Sequence, residues 1–320
     1  MRTSYCFFSL LIVTFFVAST TFGQTVNFDE TWKEFLENNK ISNMSELVRP
    51  NKEYEKTDYA KYLLMNTNTS FCQSDVSDAE RLLAEIEDMG TAVYQSIPGF
   101  LKKMDEVDQR IKAYHSMDAI WQRFLQTRDV TLEELDAVQA AKTSCEKSTL
   151  AKYSYMMAYK YLCQGNVPQS KDIFENRTLR LTEKTTLRVQ DVKGLAQEVA
   201  RMKSLYQEMA DLDAVWNDYV RTGVSSGYNK ELPVFPCYPV PTMKILILNG
   251  VLDLCNAAPD ALAEIKRLQA ESGVTLTGDL NKKVQELQAA VGQNESRRSA
   301  LNKAWEAFLR DASPAVPEYS

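Results

Sequence analysis

The 320-residue chain carries 37 basic and 43 acidic residues, one His and a formal charge of −6. That mild, intermixed charge presents no basic face able to track a phosphate backbone, which excludes nucleic acid as a partner. Apolar residues make up 44% and charged ones 25%, with only 11 Gly, so the composition excludes a disordered chain and fits an ordered helical protein.

Met1-Arg2 precedes an apolar run from Tyr5 to Ala18, followed by Ser19-Thr20-Thr21-Phe22-Gly23, whose small residues suit a signal-peptidase cut after Gly23. The run is too short to span a bilayer comfortably, so residues 1–23 are expected to be a cleaved secretory signal. Cleavage removes one Arg and no acid, leaving a charge of about −7 on a secreted or periplasmic chain without stable membrane insertion. The nearest later apolar stretch, Met243 to Leu254, is interrupted by Lys244, Asn249-Gly250 and Asp253 and reads as a buried helix.

Residues 24–38 read as a short amphipathic helix ending in Thr31-Trp32-Lys33-Glu34-Phe35-Leu36. The phrase recurs as Ile120-Trp121-Gln122-Arg123-Phe124-Leu125, Val215-Trp216-Asn217-Asp218-Tyr219-Val220 and Ala304-Trp305-Glu306-Ala307-Phe308-Leu309, which places the tryptophans 89, 95 and 89 residues apart. A second series keeps the same register: Cys72, Cys163 and Cys255 are spaced by 91 and 92, and 18 residues upstream of each stand Tyr54, Cys145 and Cys237. Ala60-Lys61-Tyr62 also matches Ala151-Lys152-Tyr153. Independent landmarks agreeing on a period of about 91 residues predict tandem repeats.

The expected organisation is therefore all-α, with three three-helix, coiled-coil-like repeats over residues 39–125, 126–220 and 221–310, and a flexible tail over 311–320. In the first, Tyr54 to Phe71 and Ser74 to Asp88 read as the shorter helices, the latter capped at Ser74 or Asp75. The third helix of each repeat is long and keeps a heptad alternation. Its seam runs through Ile97, Leu101, Met104, Ile111, Met117 and Trp121 in the first repeat, and through Val192, Leu195, Val199, Met202, Tyr206, Met209, Leu212 and Trp216 in the second. In the third it takes Leu280, Val284, Leu287, Val291, Asn294, Arg298, Leu301, Trp305 and Phe308. The aromatic pairs Trp32/Phe35, Trp121/Phe124, Trp216/Tyr219 and Trp305/Phe308 each share a helix face and are expected to seal the joint with the next unit. Between Gly223 and Pro241 the prolines and glycines force an irregular loop, either a recognition segment or a plain connector.

Five cysteines follow the signal and should mostly pair in a secreted chain. Pairing within a repeat joins Cys145 to Cys163 and Cys237 to Cys255; pairing between repeats joins Cys72 to Cys145 and Cys163 to Cys237. If residues 146–162 are helical, the within-repeat Cα atoms stand about 25 Å apart, whereas a disulfide tolerates less than about 7 Å. The bridging scheme follows, with Cys255 left as a free or intermolecular thiol. No CxxC and a single His argue against zinc.

No nucleophile elbow, zincin, P-loop or dinucleotide motif occurs, and nothing calls for a cofactor. His115 reads as a helix-surface residue, and Glu133-Glu134 and the group Glu85, Glu87 and Asp88 as solvated faces rather than paired catalytic acids. Tyr153, Tyr155, Tyr159 and Tyr161 read either as core packing or as a face for an aromatic ligand or partner. Sequons stand at Asn43, Asn68, Asn176 and Asn294. The layout resembles spectrin-type three-helix repeats in its long helices and marked tryptophans, but the period, the cysteines and the Trp position differ. The expectation is a secreted, non-enzymatic structural or interaction protein that binds itself or another extracellular protein. The alternative is an extracellular bundle holding a small apolar or aromatic ligand.

Overall fold

The computed structural model describes residues 27–39, 41, 44–183, 191–233 and 235–311. The expected signal, its cut after Gly23, residues 312–320 of the tail and the sequon at Asn43 lie outside them. All regular structure among the described residues is helical.

Asn27 caps α1 (Phe28–Asn38), its side chain accepting from the Asp29 N–H. After a 3₁₀ turn at Met44–Glu46 come α2 (Lys56–Cys72) and α3 (Val76–Asp88). The tight corner between them is made by Ser74 at φ 68° and by Asp75, which accepts from the Asp78 N–H. A short α4 (Thr91–Tyr94) leads to α5 (Phe100–Thr127), whose 28 residues make a rod of about 42 Å.

Thr131 and Glu134 form a capping box on α6 (Leu132–Ala137). A 3₁₀ turn follows, and then α7 (Lys147–Cys163). The next helical run, α8 (Val167–Ile173) and α9 (Arg180–Glu183), is interrupted by a π-helical segment at Phe174–Leu179. The second long helix is α10 (Leu195–Thr222), again of 28 residues. Beyond the irregular Gly223–Pro239 stretch lie α11 (Val240–Leu252), α12 (Ala257–Ser272) and the 34-residue α13 (Gly278–Asp311). The expected buried helix at Met243 is α11, and no helix among the described residues is long and apolar enough to cross a membrane.

Buried apolar side chains form three clusters, and α5 and α10 each take part in the core on either side of them. The first core runs from Trp32 to Ile111, the second from Met117 to Phe235 and the third from Leu212 to Val291. Thus α5 serves the first core through Ile111 and enters the second at Met117, while α10 leaves the second after Met209 and enters the third at Leu212. α13 lies in the third core through Val291, beyond which it has no buried side chain.

Two disulfides clamp these junctions, Cys72–Cys145 and Cys163–Cys237, each with a Cα separation of 4.9 Å. They are the bridges expected between successive units. Their closed loops of 73 and 74 residues correspond to roughly 4 kcal/mol each in the chain-entropy model. The Gly223–Pro239 stretch behaves as a packed strap. Phe235 sits in the second core beside Tyr159, and the Tyr228 N–H donates to Asn249 Oδ1 at 2.7 Å.

Two seam expectations need correction. At the start of α5 the buried positions are Phe100 and Lys103, with Leu101 exposed, because Gly99 at φ 77° turns the helix so that Phe100 stacks on Trp32 and Tyr94. In α13, Arg298, Leu301, Trp305 and Phe308 line no seam, since none of the described residues buries that half of the helix.

Candidate functional site

Two of the tryptophan motifs meet the rest of the molecule through one recurring geometry, and a third through different contacts. In α1, Trp32 stacks on Phe100 at 5.8 Å, and Leu36 lies against Gly99, where an added Cβ would come within 3.2 Å of it. In α5, the Trp121 indole N–H donates to the Lys193 carbonyl at 2.8 Å, and Leu125 lies against Gly194, where a Cβ would come within 2.8 Å. Both glycines adopt φ 77° and open a long helix, so the left-handed turn that starts one helix is also the notch receiving the leucine at the end of the previous one. In α10, Trp216 packs with Tyr219 at 5.8 Å inside the third core, and the Lys283 ammonium at the start of α13 lies 4.5 Å from the Tyr219 ring centre.

The helices carrying these motifs end alike. Seven residues after each tryptophan stands a left-handed C-cap, namely Asn39, Arg128 and Gly223, whose N–H bonds to the carbonyl of Phe35, Phe124 and Tyr219 respectively. Three residues before each tryptophan stands an aspartate that meets a lysine of the following core. The pairs are Asp29 with Lys61 at 3.4 Å, Asp118 with Lys152 at 2.9 Å and Asp213 with Lys244 at 2.6 Å. All three lysines lie seven residues after Tyr54, Cys145 or Cys237. These pairs were not foreseen, although the shared Ala-Lys-Tyr triplets had already marked Lys61 and Lys152; combining them with the constant Trp−3 aspartate would have predicted the contact.

A second contact varies from joint to joint. Eighteen residues before the tryptophan of each long helix stand Lys103, Glu198 and Leu287, all buried. The Lys103 ammonium donates to Asn39 Oδ1 at 2.8 Å, whereas the Glu198 carboxylate pairs with Arg128 at 2.7 Å and accepts from the Tyr155 hydroxyl at 3.0 Å. The corresponding places in the third core, Leu287 and Gly223, bring no charge. Burial, and then the Glu198 carboxylate, push the Tyr155 hydroxyl well above its ordinary range, so it remains a donor.

At the first disulfide, Glu146 is fully buried and caps α7, accepting from the Ser148 and Thr149 N–H groups at 3.0 and 2.6 Å and from the Ser74 hydroxyl at 2.7 Å. Burial alone would raise its pKa, but the hydrogen bonds from Thr149, Ser74 and Ser148 outweigh it and hold the carboxyl below its usual range. An open groove of 670 Å3, lined by Tyr114, Asp118, Trp121, Glu146, Lys152 and Lys193, lies over this junction.

The other sequence candidates fall as follows. Trp305 and Phe308 stack on each other at 5.5 Å but are each 57% exposed, so the joint expected for them is not made among the described residues. Tyr153, Tyr155 and Tyr159 are buried in the second core, and Tyr161 is partly buried; an α7 packed by α5 and by the π-helical segment turns them inward, so they do not form an open ligand or partner face. Cys255 is an exposed thiol in the turn between α11 and α12. Glu85 accepts from the Tyr59 hydroxyl at 2.6 Å, Glu134 belongs to the α6 capping box, and His115 meets Glu80 at 2.5 Å. Asn68 is buried with its Oδ1 accepting from Arg110 at 2.9 Å, which leaves that sequon inaccessible in the folded chain. No metal-competent group of His, Cys, Asp and Glu occurs among the described residues.

No family model, curated protein or solved structure matches the chain.

Proposed function

We propose that this chain is a secreted, non-enzymatic structural or interaction protein built from three tandem helical repeats of about 91 residues. The observation that carries the reading is the joint. One Trp-x-x-aromatic motif, one left-handed cap at Trp+7 and one Asp–Lys pair recur at the same offsets in three successive cores. Long helices shared between adjacent cores tie each unit to its neighbours, an arrangement suited to presenting surfaces at fixed spacing. The two disulfides fit an oxidising compartment outside the cytoplasm, in keeping with the expected signal.

The test is the molar mass of the mature protein by light scattering on a sizing column, with and without reductant, over a wide concentration range. An interaction protein that binds itself gives a mass above that of one chain and rising with concentration. A covalent species lost on reduction and absent in Cys255→Ser would assign part of it to that thiol. A strict monomer under every condition removes self-assembly from the reading and leaves a heterologous extracellular partner.

A further inference from the structure

We propose that the exposed C-terminal half of α13 docks into the first core of a second copy of this chain, taking the place that α1 occupies. The proposal rests on the repeat reading above and names the surface and partner.

Leu301, Trp305, Phe308 and Leu309 are 69%, 57%, 57% and 51% exposed and form one continuous stripe on α13. At the other three tryptophan motifs the matching residues pack into a core. The Trp−4 position is Phe28, Met117 and Leu212, and the Trp+4 position is Leu36, Leu125 and Val220. A surface whose counterparts find the same kind of socket three times is complementary to that socket, and large apolar patches of this kind mark interaction sites.

Connectivity selects the first core. The sockets of the second and third cores are filled by the ends of α5 and α10, each continuous with the preceding core and followed by a disulfide-clamped junction, so neither can leave without dismantling a neighbour. The first socket is filled by α1, a separate 11-residue helix joined to α2 by a stretch whose only regular structure among the described residues is one 3₁₀ turn. Trp32, Phe35 and Leu36 of α1 correspond in identity to Trp305, Phe308 and Leu309, as do Trp121, Phe124 and Leu125 of α5, so the motif fits the first socket and connectivity is what singles it out. Asn302 falls at the place of Asp29, where its side-chain carbonyl can accept from Lys61.

Because the donor surface is on the third core and the acceptor on the first, the contact is head-to-tail and propagates into a filament unless it closes into a ring. α1 competes intramolecularly at an effective concentration on the order of millimolar, so weakening α1 promotes assembly and weakening the α13 stripe abolishes it.

Sizing with light scattering is applied to Trp32→Ala, to Trp305→Ala/Phe308→Ala, and to the combined variant, with circular dichroism confirming that each is helical. Trp32→Ala is expected to assemble at concentrations where the parent chain is largely monomeric, and the combined variant to lose that assembly. Since Trp32→Ala removes a buried ring, a second experiment needs no core change. Asn302→Cys and Lys61→Cys chains, each in a Cys255→Ser background, are mixed and treated with a short bifunctional thiol crosslinker. A covalent dimer formed only in the mixture is the expected result. Crosslinking of Asn302→Cys chains with one another would show that α13 ends pair mutually and would overturn the socket. So would a Trp32→Ala protein that stays monomeric with no crosslink in the mixture. Assembly that persists in Trp305→Ala/Phe308→Ala also sinks the socket while leaving the interaction reading intact.

Discussion

Trp121 and Trp305 sit in the same short motif on helices of the same kind, yet one is fully buried and the other is 57% exposed. Around Trp121 the end of α5 is enclosed by Tyr155 of α7, by Lys193 and Gly194 at the start of α10, and by the Lys152–Asp118 pair. Around Trp305 the helix continues with the same apolar spacing and has no such neighbours among the described residues. Among the described residues the same motif is buried where another element packs on it and exposed where none does. Burial of an aromatic contributes several kcal/mol only when its surface leaves water, and an exposed copy of the same motif contributes almost nothing to folding.

The largest expected effect sharpens that comparison. Trp121→Ala removes a closely packed ring and the indole hydrogen bond to Lys193, and should cost about 3–5 kcal/mol in urea unfolding. A loss below about 1 kcal/mol would mean that the second core does not depend on the joint. Next comes the ion pair. Asp118→Ala leaves the buried Lys152 ammonium without its ion-pair partner, beside the Tyr114 ring at 5.6 Å, and should cost about 2 kcal/mol. Lys152→Met frees a half-exposed carboxylate to hydrate and should cost less; the reverse order in a thermal melt would show that Lys152 is solvated in solution.

A smaller effect appears on acidification. The Glu146 carboxyl titrates below its unfolded-state value near 4.5, so its contribution is complete above that pH and is lost as pH falls through the folded-state value. The melting temperature should therefore drop below about pH 4.5, and Glu146→Gln, costing about 1 kcal/mol at neutral pH, should flatten part of that drop. An unchanged acid profile in the variant would place the transition on other carboxylates. The smallest effect is Trp305→Ala, expected within about 0.5 kcal/mol of the parent in dilute solution, against the large loss at Trp121. A large loss there would mean that α13 is already covered, by a partner copy or by a different packing.

Much of the architecture was legible because it depends on local or geometric rules. The cysteine partners followed from one length argument: α7 is 17 residues long, and its ends are too far apart for one disulfide. Capping at Asp75 and the break before α11 followed from residues whose preferences act within a turn. The site was less legible. Lys61, Lys152 and Lys244 look like ordinary solvated lysines until the helix carrying the Trp−3 aspartate is laid against them, because a pair separated by about 30 residues leaves no local periodicity.

The sequence by itself determined the helical class, the positions of the four tryptophan motifs, the register between the tryptophan and cysteine series and the disulfide pairing, all of which rest on spacing along a helix. Only the tertiary structure decided that α5 and α10 are each divided between two cores, that three of the α7 tyrosines face inward and that Phe100 rather than Leu101 enters the first core. It alone decided that Trp305 remains in solvent while Trp32, Trp121 and Trp216 do not. The physical reason is that a heptad stripe states which face of a helix is apolar, whereas the free energy of that face depends on whether another element arrives to cover it.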